Sequence, residues 1–207
     1  MIVTKIEELD KKRVRVYIDD EFAFVIYKGE LRLYGLKEMK EVDGKAYGDL
    51  MSEVLPKRAK LRCMNLLKSK SYTERQLRDK LRQGEYTQEL IEIALEYVKS
   101  YGYVDDERYC EDFIEYQMEK KSRKRMEQDL LNKGIDKNVI FEVFERMKEG
   151  GNEPDEFSMA AKFLQKKKYD VNTATIEEKR RLAAFLYRKG FGADTIRRVL
   201  LLDITPI

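Results

Sequence analysis

Histidine and tryptophan are absent from the chain, and proline and cysteine are scarce, with three and two residues. Without histidine the commonest general base and metal ligand near neutral pH is missing. Two thiols with no imidazole do not complete a zinc shell, so Cys63 and Cys110, each at an apolar place in a helical pattern, read as small core side chains. The low cysteine count and the lack of an N-terminal targeting segment point to a reducing cytoplasm. No apolar run reaches the roughly 20 residues that span a bilayer, so no membrane partner is expected. The phosphate-cradling and nucleophile-elbow patterns G-x-x-x-x-G-K-[ST], G-x-G-x-x-G and G-x-S-x-G do not occur either. The inventory calls for neither cofactor nor metal.

Nor is there an excess of one charge, since 42 Lys and Arg face 39 Asp and Glu over 207 residues, for a net charge of +3. What is present is charge in quantity, 39% of residues against about 25% in ordinary chains. That suits small helical units with much surface. The charge is also unevenly placed: residues 51–84 hold ten Lys and Arg against three acids, and residues 101–119 one Arg against seven acids.

The N-terminus reads as strand. Ile2–Ile6, Val14–Ile18 and Phe22–Tyr27 are alternating and β-branched or aromatic, with turns at Asp10–Lys12 and Asp19–Asp20. A three-stranded antiparallel meander of this size needs a helix to lean on. Residues 28–44, punctuated by Gly29, Gly35 and Gly44, predict a short helix or turn, and from about Lys45 the pattern is helical. Pro56 predicts a helix start or a kink, and Pro154 a second break.

The helical part repeats itself. Leu77, Leu81, Tyr86, Ile91 and Leu95 step by four, five, five and four; Met126, Leu130, Ile135, Ile140 and Phe144 do the same, as do Leu182, Leu186, Phe191, Ile196 and Leu200. Thr73 and Ser122 stand at N-cap positions four residues before their ladders, and Thr175 with Glu178 predicts a capping box. The step of five marks a tight link, with Gly134 and Gly190 just before its apolar residue; in the first copy that place is Glu85, and the glycine is shifted to Gly84. One further helix precedes each ladder, at about 57–69, 105–119 and 155–168. Between the first two copies lies Tyr101-Gly-Tyr-Val-Asp-Asp-Glu-Arg-Tyr109, where Gly102 ends one helix and Asp105 caps the next. Tyr109, Phe113 and Ile114 give that next helix its core stripe.

The expected architecture is therefore mostly α: three tandem three-helix repeats in an elongated arrangement, preceded by a small antiparallel β-sheet. The boundaries fall at 1–50 for the meander and linker, then 51–104, 105–151 and 152–207 for the repeats.

Asp105-Asp106-Glu107 is the one acidic cluster that an enzyme could use, but contiguous carboxylates at a helix start are normally cap and dipole partners. Basic residues give the stronger lead. Lys57, Arg58, Lys60 and Arg62 precede Arg75, Arg78 and Arg82, which share one helix face. Lys121, Arg123, Lys124 and Arg125 lie before the second ladder. Lys166, Lys167, Arg180, Arg181, Arg197 and Arg198 belong to the third copy. One such run is usually a solvated face; a cluster in each of three repeats suits a phosphate backbone or an acidic protein groove. Reversing the four charges at 121–125 is expected to weaken binding without lowering the melting temperature. The 13 tyrosines read as amphipathic core filler rather than as stacking platforms.

The 101–109 stretch, Thr73-Glu-Arg-Gln-Leu-Arg-Asp-Lys-Leu81 and Leu130-Leu-Asn-Lys-Gly-Ile135 resemble the bacterial RecX regulatory proteins over about residues 57–200. The strands look like the extension of longer members. Cys110 for alanine, Gln76 for glutamate and the shifted Gly84 depart from the family pattern at structural positions. The resemblance implies a non-enzymatic modulator of the RecA recombinase, a monomer that lies along the RecA filament, meets single-stranded DNA directly or through RecA, and lowers recombinase, ATPase and co-protease activity. It transfers no functional site. The alternative is a regulator that uses one three-helix unit as a helix-turn-helix on duplex DNA.

Overall fold

The structure is a computed structural model that describes residues 1–201; positions 202–207, the end of the third expected repeat, lie outside the described residues. The chain forms two compact units that divide after Asp105.

In the first unit, β1 (Ile2–Glu8), β2 (Arg13–Ile18) and β3 (Glu21–Tyr27) form the expected antiparallel meander. Alternation buries Val14, Val16, Ile18, Phe24 and Ile26 on one face. Asp10 closes the first turn by accepting from the amides of Lys12 and Arg13, both at 2.8 Å. Asp19 and Asp20 take positive φ in the second, as a two-residue hairpin turn requires. The sheet has four strands rather than three. β4 (Lys40–Glu41) pairs with Ile2 and Val3 at the free edge of β1. Two charged residues without alternation give no strand signal, and only the unpaired edge recruits them.

Helix α1 (Lys28–Leu33) follows β3. Helix α2 (Gly44–Asp49), capped by Asp43 on Ala46, runs through a π-helical turn at Leu50–Val54 into α3 (Leu55–Leu67). Pro56 stands at the start of α3 but inside this continuous helical run, directly after the π-helical turn, so its ring and missing N–H fall where the regular i→i−4 ladder is already interrupted.

The three repeats are α3, α4 (Glu74–Gln83) and α5 (Gln88–Ser100); α6 (Asp106–Gln117), α7 (Arg123–Asn132) and α8 (Lys137–Glu149); and α9 (Glu156–Lys166), α10 (Ile176–Arg188) and α11 (Ala193–Leu200). Every ladder residue is buried except Tyr86, which is half-buried. Thr73, Ser122 and Thr175 each accept from the amide three residues on; Gln76 returns the bond to the Thr73 amide, so this departure from the family pattern keeps its capping box.

The step of five has a local cause. In all three repeats the amide of its last residue donates back to the carbonyl of its first: Tyr86 to Leu81, Ile135 to Leu130 and Phe191 to Leu186, each at 3.2 Å. The amide before it donates to the carbonyl three residues earlier, each at 2.9 Å. This is the Schellman motif, which places an apolar residue against the last turn and demands a left-handed residue between. Gly134 and Gly190 meet that demand at φ +88 and +89. In the first repeat Glu85 adopts it, at φ +59, although a side chain there carries a steric cost. Gly84 beside it is small for another reason, since a Cβ would stand 3.1 Å from the Tyr86 ring and 3.2 Å from the Leu81 carbonyl.

Glu85 is held by Arg15 of β2, whose guanidinium donates two bonds of 2.6 Å to its carboxylate. Sheet and first repeat share one core, running from Val3 to Val104. The second and third repeats have cores of their own. Hydrogen bonding from Arg15 holds the Glu85 carboxyl below its ordinary 4.5, and Lys99, then Arg78, do the same for Glu74. Because the folded-state pKa values are depressed, their stabilisation is complete above pH ~4.5 and lost as pH falls through the folded values. Acid unfolding of the first unit, followed by far-UV circular dichroism, should therefore steepen below pH ~4.5. Glu85→Gln should flatten that limb while lowering stability at pH 7.

Candidate functional site

No group of three or more Cys, Asp or Glu is placed to hold a metal among the described residues. Asp106 and Glu107 lie in the first turn of α6, and Glu107 is 3.4 Å from Arg146. Both cysteines are fully buried core residues. Desolvation pushes the Cys63 thiol up to about 11 and that of Cys110 to about 12, the latter helped by Glu111. Neither is a thiolate near neutrality. The intact protein should give no reaction with a disulfide reagent at pH 8, and two thiols should titrate once it is unfolded. No helix among the described residues is long and apolar enough to cross a membrane.

The predicted basic residues divide by their neighbours. Arg58 lies 2.7 Å from Glu30 and over the Tyr27 ring; Arg78 bridges Glu74 and Glu92. Lys121 is 2.8 Å from Asp129, which Arg125 also reaches. Arg123 joins Glu127 and Glu145 at 2.9 and 3.1 Å. Arg82, Arg181 and Arg197 make weaker pairs within their own helices, with Asp79, Glu178 and Asp194. Lys57, Lys60, Arg62, Arg75, Lys124, Lys166, Lys167, Arg180 and Arg198 have no carboxylate within ion-pair distance among the described residues. Several of these lie over aromatic rings instead, Lys60 on Tyr97, Lys124 on Tyr187, Lys167 on Phe185 and Arg198 on Phe157. The geometry corrects the expectation for 121–125: Lys121 and Arg123 are half-buried in ion pairs, and reversing them sets carboxylate against carboxylate, so stability falls along with any binding.

Two clefts gather cations. In the first unit Lys57, Arg58 and Arg62 line one of about 730 Å³ with Leu61, Tyr27 and Tyr86. In the second unit a cleft of about 490 Å³ lies between the second and third repeats and brings Lys121 and Arg125 together with Lys120, Arg188 and Lys189. The last three are not among the predicted site residues. Its apolar part is Phe163, Phe185 and Phe191, packed edge to face at about 6 Å. Among the described residues no carboxylate lines it. A backbone joint sets its shape. The Ser122 hydroxyl, capping α7, donates to the Lys189 carbonyl at 2.9 Å, and the Arg123 amide donates to the Glu156 carboxylate at 2.8 Å.

None of the tyrosines is buried, so as core filler they act at most from the edge. Tyr101 and Tyr103 are 61% and 51% exposed. They stack at 5.8 Å, with Tyr97 5.0 Å from Tyr101.

A four-stranded sheet followed by three Schellman-linked three-helix units, with cations and rings gathered in clefts, defines a tandem helical-repeat protein. Family models match it in four successive stretches: the regulatory protein RecX N-terminal domain over residues 1–43, and the first, second and third RecX three-helix domains over 59–97, 105–143 and 154–200. The chain belongs to the RecX family of regulatory proteins. It is 31% identical over 204 residues to the regulatory protein RecX of Clostridium acetobutylicum, covering 96% of this chain and 94% of the relative. It is also 31% identical over 202 residues to that of Caldanaerobacter subterraneus subsp. tengcongensis, covering 97% and 98%. The fold is shared with a crystal structure of regulatory protein RecX, at a TM-score of 0.63 and 21% identity over 96% of this chain and 98% of that one. RecX from Lactobacillus salivarius shares it at 0.60 and 19%, over 71% and 95%.

Proposed function

We propose that this chain regulates the RecA recombinase by binding the RecA–single-stranded-DNA filament and lowering its recombinase, ATPase and co-protease activity. In this reading it is a cytoplasmic monomer that performs no chemistry of its own. The supporting observation is that each repeat carries cations without a carboxylate partner among the described residues: Lys57, Arg62 and Arg75 in the first, Lys120 and Lys124 in the second, Lys166, Arg180 and Arg188 in the third. Ion pairing within the fold satisfies Arg78 and Arg123; the others remain available to a polyanion or an acidic groove. Weak contacts linked in one chain gain avidity of about 10²–10⁴ when their geometry lets them engage together. Preferential affinity for one filament state is enough to shift its population.

The test is RecA ATPase on single-stranded DNA with the protein titrated in. The rate should fall in a saturable, salt-sensitive manner. A rate unchanged at excess protein refutes the proposal, and a footprint on one duplex operator in the absence of RecA favours the helix-turn-helix alternative.

A further inference from the structure

We infer that the cleft between the second and third repeats holds one nucleotide of a single strand, its phosphate on Lys120, Arg188 and Lys189 and its unpaired base against Phe163 and Phe185. This deepens the proposed function by naming where the strand is gripped. It rests on that reading for its setting but not for its geometry.

The charges are selective. Among the described residues five cations and no acid line the cleft. Asp129 takes up Lys121 and Arg125, which leaves Lys120, Arg188 and Lys189 without a carboxylate among the described residues. Three convergent cations with no counter-charge attract a phosphate strongly. The rings add what a bare anion does not require. Phe163 and Phe185 are half-buried at the apolar side, and the Lys189 ammonium lies 5.7 and 5.8 Å from their centroids. An ammonium on a four-carbon stem moves readily, so Lys189 swings to the phosphate and Lys167, 4.9 Å from the Phe185 centroid, moves aside as the base takes its place over the ring. A cleft of about 490 Å³ falls within the size range of small-ligand sites.

Strand selectivity follows from the same geometry. In a duplex the base faces are stacked inside and cannot reach the phenylalanines, whereas an unpaired base can. An acidic peptide offers the charge but no planar ring.

The measurement is fluorescence anisotropy of the full chain, without RecA, on a labelled ~15-nucleotide dT strand, an abasic strand of equal length, the matching duplex and free dTMP. The dT strand should bind ~10-fold tighter than the abasic strand and tighter than the duplex. Substituting Lys120→Gln, Arg188→Gln and Lys189→Gln together should weaken dT binding and reduce the salt slope by about 0.7, the share of one neutralised phosphate on a single strand. Phe185→Leu should narrow the dT-to-abasic ratio, with circular dichroism confirming that both variants fold. Lys11→Gln with Lys45→Gln, exposed in the other unit, should leave that ratio unchanged. Equal affinity for dT and abasic strands, equal affinity for duplex, binding of free dTMP alone, displacement only by an acidic peptide, or indifference to the triple substitution overturns the inference. If the ATPase is inhibited while bare strands are not bound, this inference fails and the proposed function stands. Strand binding as described with an unchanged ATPase does the reverse.

Discussion

Leu130→Asp should abolish cooperative folding of the second repeat. Leu130 is fully buried in that repeat's own core, among Cys110, Ile114, Met126, Ile140 and Phe144, and its carbonyl accepts the Ile135 amide that closes the turn into α8. The two cations nearest in the fold's ion pairs, Lys121 and Arg125, are engaged by the neighbouring Asp129. An unpaired carboxyl in an apolar site costs several kcal/mol, a large share of the ~5–15 kcal/mol that holds a whole domain together. Loss of helical signal at 25 °C and loss of one step from the urea transition are expected, with residues 1–105 surviving limited proteolysis because their core is separate. Leu130→Met, close in volume, should cost less than about 1.5 kcal/mol. An unchanged far-UV spectrum and melting curve for the aspartate variant would refute the ladder.

Gly190→Ala should destabilise the second unit by about 2–4 kcal/mol, through two separable effects. At φ +89 any Cβ meets the ordinary left-handed penalty of about 1–2 kcal/mol. This Cβ would also stand 2.5 Å from the Ser122 hydroxyl oxygen and 3.3 Å from the Arg125 amide nitrogen. Those atoms belong to the cap of α7, so α7 and the α10 link are driven apart and the bond from Ser122 to the Lys189 carbonyl is lost. Gly102→Ala provides the control, since φ there is +67 and no atom of the described residues lies within 4 Å of the new Cβ; it should show the conformational penalty alone. Adding Ser122→Gly to Gly190→Ala should recover part of the loss, and a double-mutant cycle by urea denaturation measures how much. Zero coupling would mean the two repeats do not meet at this joint. Because Ser122 also lines the basic cleft, the alanine variant should weaken strand binding as well.

The repeat was readable because its causes are local. A cap acts over three residues and a Schellman turn over five, so Thr73, Ser122, Thr175 and the step from Leu130 to Ile135 carry their geometry in their spacing. Glu85 shows where that stops. Its left-handed backbone breaks the glycine rule, and its partner Arg15 lies 70 residues earlier on a strand. The basic residues divide along the same line. Sequence identifies Lys121 and Arg123 as cations like Lys120, but only packing brings Asp129, Glu127 and Glu145 to them. The cleft depends on Lys120 meeting Arg188 and Lys189 from another repeat, which no spacing encodes. The amino-acid order thus determined the helices, their ends and their threefold recurrence, since hydrogen bonds within a turn reach only a few residues. Which charges are neutralised and which stand open was decided in the tertiary structure, because Coulombic pairing depends on distance in space and not on position along the chain.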